Sequence, residues 1–164
     1  MSINPRQSAL DSLAFAHKVT NDLAASFPED RIAYQASPTD NHVLWTMGHL
    51  AMTYQWLSSF LGVKGTLPES YGALFGGKSK PQGDSKAYPP LAELRKNYLA
   101  QYAAFVDAVK RLPEAQLADS IADKTGGFAP TKLDLVERAA WHEGWHGGQV
   151  SSIRRALNLP PILG

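Results

Sequence analysis

Apolar side chains recur every three or four residues along four long stretches of this chain, the spacing of one α-helix face. No strand period competes with them; SIADKTGGF, at 120–128, has room for a short extended piece and no more. The first stretch runs from Ser8 to Ser26, with Leu10, Leu13, Ala14, His17 and Leu23 near one face. The second starts at the candidate caps Thr39, Asp40 and Asn41 and continues to Leu61, with Trp45, His49, Met52, Trp56 and Phe60 as its inner stripe. The third follows Pro89-Pro90 and carries Leu91, Leu94, Tyr98, Tyr102, Phe105 and Val109 on one side. The fourth runs from Thr131 to Leu157, and Thr131 with Asp134 has capping-box spacing. Its stripe is Leu135, Ala139, His142, His146, Gln149 or Val150, Ile153 and Leu157.

A chain of 164 residues can bury one core and is too short to expect two. The expectation is therefore all-α: a single domain over 1–164, folded as a four-helix up-and-down bundle. A long connection, Gly62–Pro90, joins the second and third helices. PESYGALF within it, and PEAQLAD after the third stretch, each suit a short helix. A connection of this length in a small domain is usually functional or mobile.

Composition excludes several classes of function. The net charge is +1, and Lys and Arg form no cluster beyond the pair Arg154-Arg155, so no nucleic-acid footprint exists. No apolar run is long enough to span a bilayer. The polar opening MSINPRQSALDSLAF does not read as a signal peptide. Without cysteine the chain has no disulfide, no thiolate ligand and no thiol nucleophile, and a cytoplasmic location is the natural expectation.

Three histidines interrupt the apolar seams. His142 and His146 stand four apart, one helical turn on one face, and His49 lies in the middle of the second stretch. In an up-and-down bundle the second and fourth helices run parallel and face one cavity, so the three imidazoles can share one divalent metal with a coordination position left over. A hydrogen-bonded core histidine is the ordinary reading of any one of them. All three on inner stripes is a stronger coincidence, because each unsatisfied buried polar group costs about 1–3 kcal/mol. Nitrogen ligation suits zinc, nickel, iron or copper alike.

His142 to His146 also spell His-Glu-x-x-His, the pattern in which zinc proteases supply two ligands and a glutamate base. No His, Asp or Glu follows His146, so the third ligand has to come from upstream, again His49. Glu143 is either a base or second carboxylate beside the metal or a solvated residue, since it points about 100° from His142 on an ideal helix. Gln149, seven residues after His142, either orients a ligand or is a buried structural amide. His42 reads as a residue at the helix start or as a partner behind a ligand, His17 as a helix-face histidine or, less often, one lining the cavity, and the four tryptophans as packing for the core or a subunit contact. Gly144, Gly147 and Gly148 cost about 1 kcal/mol apiece against alanine in a helix, which points to close helix approach, room around the site or a kink.

In NHVLWTMGHLA and HEGWHGGQVSSIRRALNLP the chain resembles the DinB/YfiT-like family of helical metalloenzymes. Trp45, Gly48 and His49 match its Trp-x-x-Gly-His segment. His142, His146, Gly148 and Gln149 match its His-x-x-x-His-x-Gly-Gln segment, and Arg154, Arg155, Leu159 and Pro160 match the tail. The resemblance implies that His49, His142 and His146 are metal ligands in a four-helix bundle that is commonly a homodimer. Relatives in that family include S-transferases using low-molecular-weight thiols, a thiol-dependent maleylpyruvate isomerase and the iron-binding domain of sulfoxide synthases. In the last group a carboxylate lies two residues beyond the second histidine of the pair; here Gly148 stands there, which weakens that reading. Two functions follow as expectations. One is a metal-dependent enzyme, using zinc, nickel or iron, that activates a thiol or water against a small electrophile, as a transferase or a hydrolase. The other is a non-catalytic metal- or ligand-binding bundle of a stress response.

Overall fold

The computed structural model describes residues 4–162. The first three residues of the opening segment and the last two of NLPPILG lie outside that range. Five α-helices follow in order: α1 (Pro5–Ala25), α2 (Val43–Ser59), α3 (Tyr71–Phe75), α4 (Leu91–Arg111) and α5 (Lys132–Ala156). The four long ones are the four periodic stretches. PESYGALF contributes α3, PEAQLAD a 3-10 turn at Glu114–Gln116, and the extended piece shrinks to one isolated bridge, Ser120 to Thr131.

Local chemistry sets the helix ends. Asn4 caps α1 by accepting from the Gln7 amide at 3.0 Å, with Pro5 in the first turn, where its missing N–H costs nothing. The Thr131–Asp134 capping box forms in both directions. α5 ends at Leu157, and Asn158 turns the chain with φ of 57°, a left-handed conformation that asparagine tolerates. The cap of α2 is not one of the three residues the sequence offered but His42. Its Nδ1 accepts from the Trp45 amide at 3.2 Å, and its Nε2–H donates to the Gln82 carbonyl at 2.9 Å.

The helix directions correct the up-and-down expectation. On α1 and α5, Thr20 meets Glu143 and Ser26 meets Arg154, so the two run parallel. On α2 and α5, Asn41 meets Gln149 and His49 meets His142, so these run antiparallel. Arg6 reaches Lys110 while Arg95 reaches Asn21, so α1 and α4 are antiparallel. α4 therefore runs parallel to α2, the order being up, down, down, up. This explains the length of the second connection. α2 has 17 residues and is about 25 Å long at about 1.5 Å of rise per residue, and residues 60–90 must travel back along it before α4 begins in the same direction. Their length is a topological requirement.

α1 packs along α5 and α2 along α4. Leu13, Leu44, Met47, Leu50, Leu57, Leu94, Phe105 and Leu135 are fully buried between the pairs. The buried face of α2 is Met47, Leu50, Ala51, Tyr54, Leu57 and Ser58. The expected stripe begins in the core, with Trp45 4% exposed, and then follows the edge of that face through His49 and Met52 to Trp56, which is 41% exposed. On α5 the inner stripe holds Glu143 and His146, with His142 half-buried at its border. Sequence periodicity thus located the helices correctly and most of the α5 stripe too, since Leu135, Ala139, His146, Val150 and Ile153 are buried; on α2 it placed Trp45 rightly and then ran along the edge of the buried face from His49 onward. Among the described residues no helix is long and apolar enough to cross a membrane.

Candidate metal centre

α2 and α5 cross antiparallel near the midpoint of each, so residues far apart in sequence meet there whichever way the helices run. His142 Nε2 lies 3.3 Å from His49 Nε2 and 3.1 Å from His146 Nε2, and the ligand atoms of all three fall within 4.8 Å of one another. At a metal–nitrogen distance of about 2.0–2.1 Å, neighbouring donors stand about 3.0 Å apart in octahedral and about 3.4 Å apart in tetrahedral geometry. The two measured separations match that range, and the donor set fits a divalent metal.

The outer nitrogens show which atoms are free to bind. His49 Nδ1–H donates to the Phe75 carbonyl at 2.7 Å. His146 Nδ1–H donates to Gln149 Oε1 at 2.8 Å, and the same oxygen accepts from Asn41 Nδ2 at 3.1 Å. With their protons on Nδ1, both rings present lone pairs at Nε2. His142 Nε2 can donate a proton to only one of them. The cluster therefore leaves converging lone pairs that repel one another unless a cation lies between them. Gln149 thus orients the His146 ring by a hydrogen bond. Such partners typically govern about 10–100-fold in metal affinity. We expect Gln149→Ala to weaken zinc binding by about that factor while leaving the helical content unchanged, as read by competition with a chromophoric chelator.

Burial holds the cluster neutral. It pushes the pKa of His142 down to about 3, with His146 and then His49 adding repulsion. Burial and then His49 bring His146 down to about 4. His49 is also lowered by burial, in spite of its bond to Phe75. These rings thus stay unprotonated, the ligand form, well below neutral pH. An unfolded chain takes up these protons near pH 6.5, before the folded one does, so the metal-free fold loses stability as pH falls from 6.5 toward 4. Thermal unfolding in chelator should give a lower midpoint at pH 5 than at pH 7.5.

Two aromatic residues fix His49. The Trp45 indole stacks on its imidazole, with centroids 4.5 Å apart and planes 12° apart, and is itself held by its N–H to Ser79 Oγ at 2.8 Å. Phe75 lies against Gly48 so closely that a Cβ there would come within 2.4 Å of its ring. The glycine preceding His49 is what lets the Phe75 carbonyl reach the imidazole. Gly147 likewise allows α1 to approach, since a Cβ would meet Thr20 Oγ1 at 2.6 Å. Gly144 and Gly148 have no neighbour within 4 Å of such an atom, so close helix approach accounts for one of the three glycines of α5.

Glu143 lies elsewhere. Its carboxylate is buried, 1% exposed, and receives hydrogen bonds from the Tyr54 and Tyr98 hydroxyls. His17 Nδ1 stands 4.0 Å from Oε2, and its ring stacks on Tyr102 with centroids 3.5 Å apart. Burial, and next the Glu143 charge, raise both tyrosines well above the ordinary phenol range, so both remain donors. The residue is neither solvated nor turned toward the three Nε2 atoms. Its network of tyrosines escaped the sequence reading, although Val136, Glu143 and Val150 stand at heptad spacing, which marks a carboxylate set into an apolar seam. His17, read as a helix-face residue, belongs to the same network, and His42 stands apart from the metal cluster as an α2 cap.

A cavity of about 380 Å³ opens beside the imidazoles, lined by His49, Met52, Thr53, Trp56, Gly77, Phe128 and His142. Trp141 and Trp145, by contrast, are surface residues, 54% and 57% exposed.

Comparison with known proteins agrees with this architecture. A crystal structure of a conserved protein from Enterococcus faecalis superposes with a TM-score of 0.70, covering 94% of this chain and 97% of that one. At 20% identity the likeness is one of fold. No curated protein matches the sequence. The sequence pattern of the DinB superfamily matches residues 12–150, which include all three histidines, and the chain belongs to that superfamily.

Proposed function

We propose that the protein is a metal-dependent enzyme that activates a thiol or water against a small electrophile. The observation that carries this reading is the convergence of three neutral imidazole nitrogens beside an open cavity. His49, His142 and His146 would hold one divalent ion, zinc, nickel or iron. Three neutral ligands leave the charge of the ion nearly intact, so a thiol or water meeting it becomes a much stronger acid, toward a pKa of about 7 for water in favourable zinc sites. The chain supplies orientation: Phe75 and Gln149 fix the ring protons of His49 and His146, and Trp45 holds the plane of His49. Glu143 is already occupied by two phenols, so the released proton leaves through the solvent side of the cavity. A low-molecular-weight thiol is the proposed co-substrate. We further propose a cytoplasmic homodimer; exposed Phe15, Trp141 and Trp145 are the apolar surface that supports association.

The test is conjugation of thiols to 1-chloro-2,4-dinitrobenzene, and hydrolysis of an aryl ester, by zinc-loaded and metal-free protein. Metal-dependent turnover that disappears in His49→Ala supports the proposal and separates its two branches. Equal rates with and without metal contradict it.

A further inference from the structure

The cavity beside the histidines says what kind of molecule it takes. Its walls are the Met52 thioether, the Trp56 indole, the Phe128 ring and the backbone at Gly77. No Lys, Arg, Asp or Glu lines it. The one hydroxyl in the lining, Thr53 Oγ1, donates its proton to the His49 carbonyl at 3.0 Å. Trp56 and Phe128 meet edge to face, with centroids 5.5 Å apart, and Phe60 packs on the far side of Trp56 at 5.1 Å. The rings are thus arranged against each other as one aromatic wall of the cavity. At about 380 Å³ the space is of the size that holds a small organic ligand.

Away from the imidazole end, these walls give a carboxylate, phosphate or ammonium group nothing to replace its lost water. The slot rewards an apolar body and permits one donor atom at the imidazole end. We propose that the site takes an uncharged, aromatic or similarly apolar molecule, held by Met52, Trp56 and Phe128 with its donor atom toward His49 and His142. This rests on the metal reading above and narrows its substrate class: the walls away from the imidazoles favour uncharged, apolar bodies over polar or charged ones.

The experiment uses cobalt-loaded protein, whose visible spectrum reports a new ligand, titrated with two imidazole probes. 4-Phenylimidazole is uncharged and aromatic; imidazole-4-acetate is a carboxylate of similar size. The phenyl probe should bind about 10–100-fold more tightly than imidazole itself, the factor expected for burying one ring, and the carboxylate no more tightly than imidazole. Trp56→Ala and Phe128→Ala should each remove most of the phenyl advantage and leave imidazole binding unchanged. Equal affinity of the two substituted probes, or an undiminished phenyl advantage in both variants, overturns the proposal. Benzyl thiol separates the two readings: a phenyl preference with a cobalt spectrum indifferent to benzyl thiol sinks thiol activation and keeps the slot. Should cobalt not bind, calorimetry of metal-free protein with 4-phenylimidazole decides the slot alone; heat lost in Trp56→Ala supports it, and no heat with the parent chain overturns it.

Discussion

His49→Ala binds zinc more than about 100-fold more weakly than the parent protein, and still folds. The loss of a group outside the ligand set alone costs about 10–100-fold, and among the described residues His49 is one of three candidate ligands that meet at the centre. The other two, His142 and His146, are neighbours on one helix and remain in place without it, their Nε2 atoms 3.1 Å apart. Two imidazoles at that spacing still chelate, so residual binding is expected, with faster release. The fold survives because His49 is half-buried at the rim of the α2 interface, while Leu50, Ala51, Tyr54 and Leu57 carry its packing. Competition with a chromophoric chelator measures the first effect and circular dichroism the second. Wild-type affinity in the variant would place the metal elsewhere.

Glu143→Ala should destabilise the fold by about 3–5 kcal/mol, the sum of two buried hydroxyls left unsatisfied at about 1–3 kcal/mol each and the void opened. It leaves the Tyr54 and Tyr98 hydroxyls without an acceptor inside the protein, and it opens a void. In a domain whose total stability is about 5–15 kcal/mol this lowers the thermal midpoint by about 10–15 °C. Glu143→Gln keeps an acceptor for one phenol and should lose less. Neither change touches a nitrogen of the cluster, so the Gln variant should retain zinc affinity within about threefold, a difference of less than 1 kcal/mol. The pair of variants distinguishes a structural carboxylate from a base at the metal: a base would lose turnover in Glu143→Gln at unchanged stability. Double substitution with Tyr98→Phe provides a cycle, in which the cost of losing Glu143 shrinks because one orphaned hydroxyl is gone.

What the sequence disclosed follows from how far each signal reaches. The four long helices were legible because period and caps are local: Thr131 with Asp134, and the breaks at Pro89-Pro90 and Gly62, act within one turn. The three histidines were legible because their residue type is rare on apolar stripes. The directions of the helices were not legible, since nothing local to residues 60–90 states that they return along α2 before α4 begins. The convergence of His49 with His142 survived this error only because both lie near the middle of their helices, where parallel and antiparallel arrangements place them at a similar depth. The azimuth of the α2 stripe was also beyond reach. Met52 and Trp56 are as apolar as Met47, Leu50 and Leu57, and on α2, which is apolar nearly all round, period alone cannot say which set faces the core. That ambiguity hid Tyr54, one partner of Glu143, which lies on the set not chosen; Tyr98, the other, stood on the stripe of the third helix. His42 as a cap depended on Gln82, forty residues away, and no helix-start rule offers histidine.

The central claim is that His49, His142 and His146 bind one ion together. X-ray absorption spectroscopy of zinc-loaded protein tests it most directly. The account predicts three imidazole nitrogens at about 2.0–2.1 Å and at least one further light atom from solvent. A zinc site with fewer than three imidazoles, or one whose spectrum is the same in His49→Ala, would contradict it.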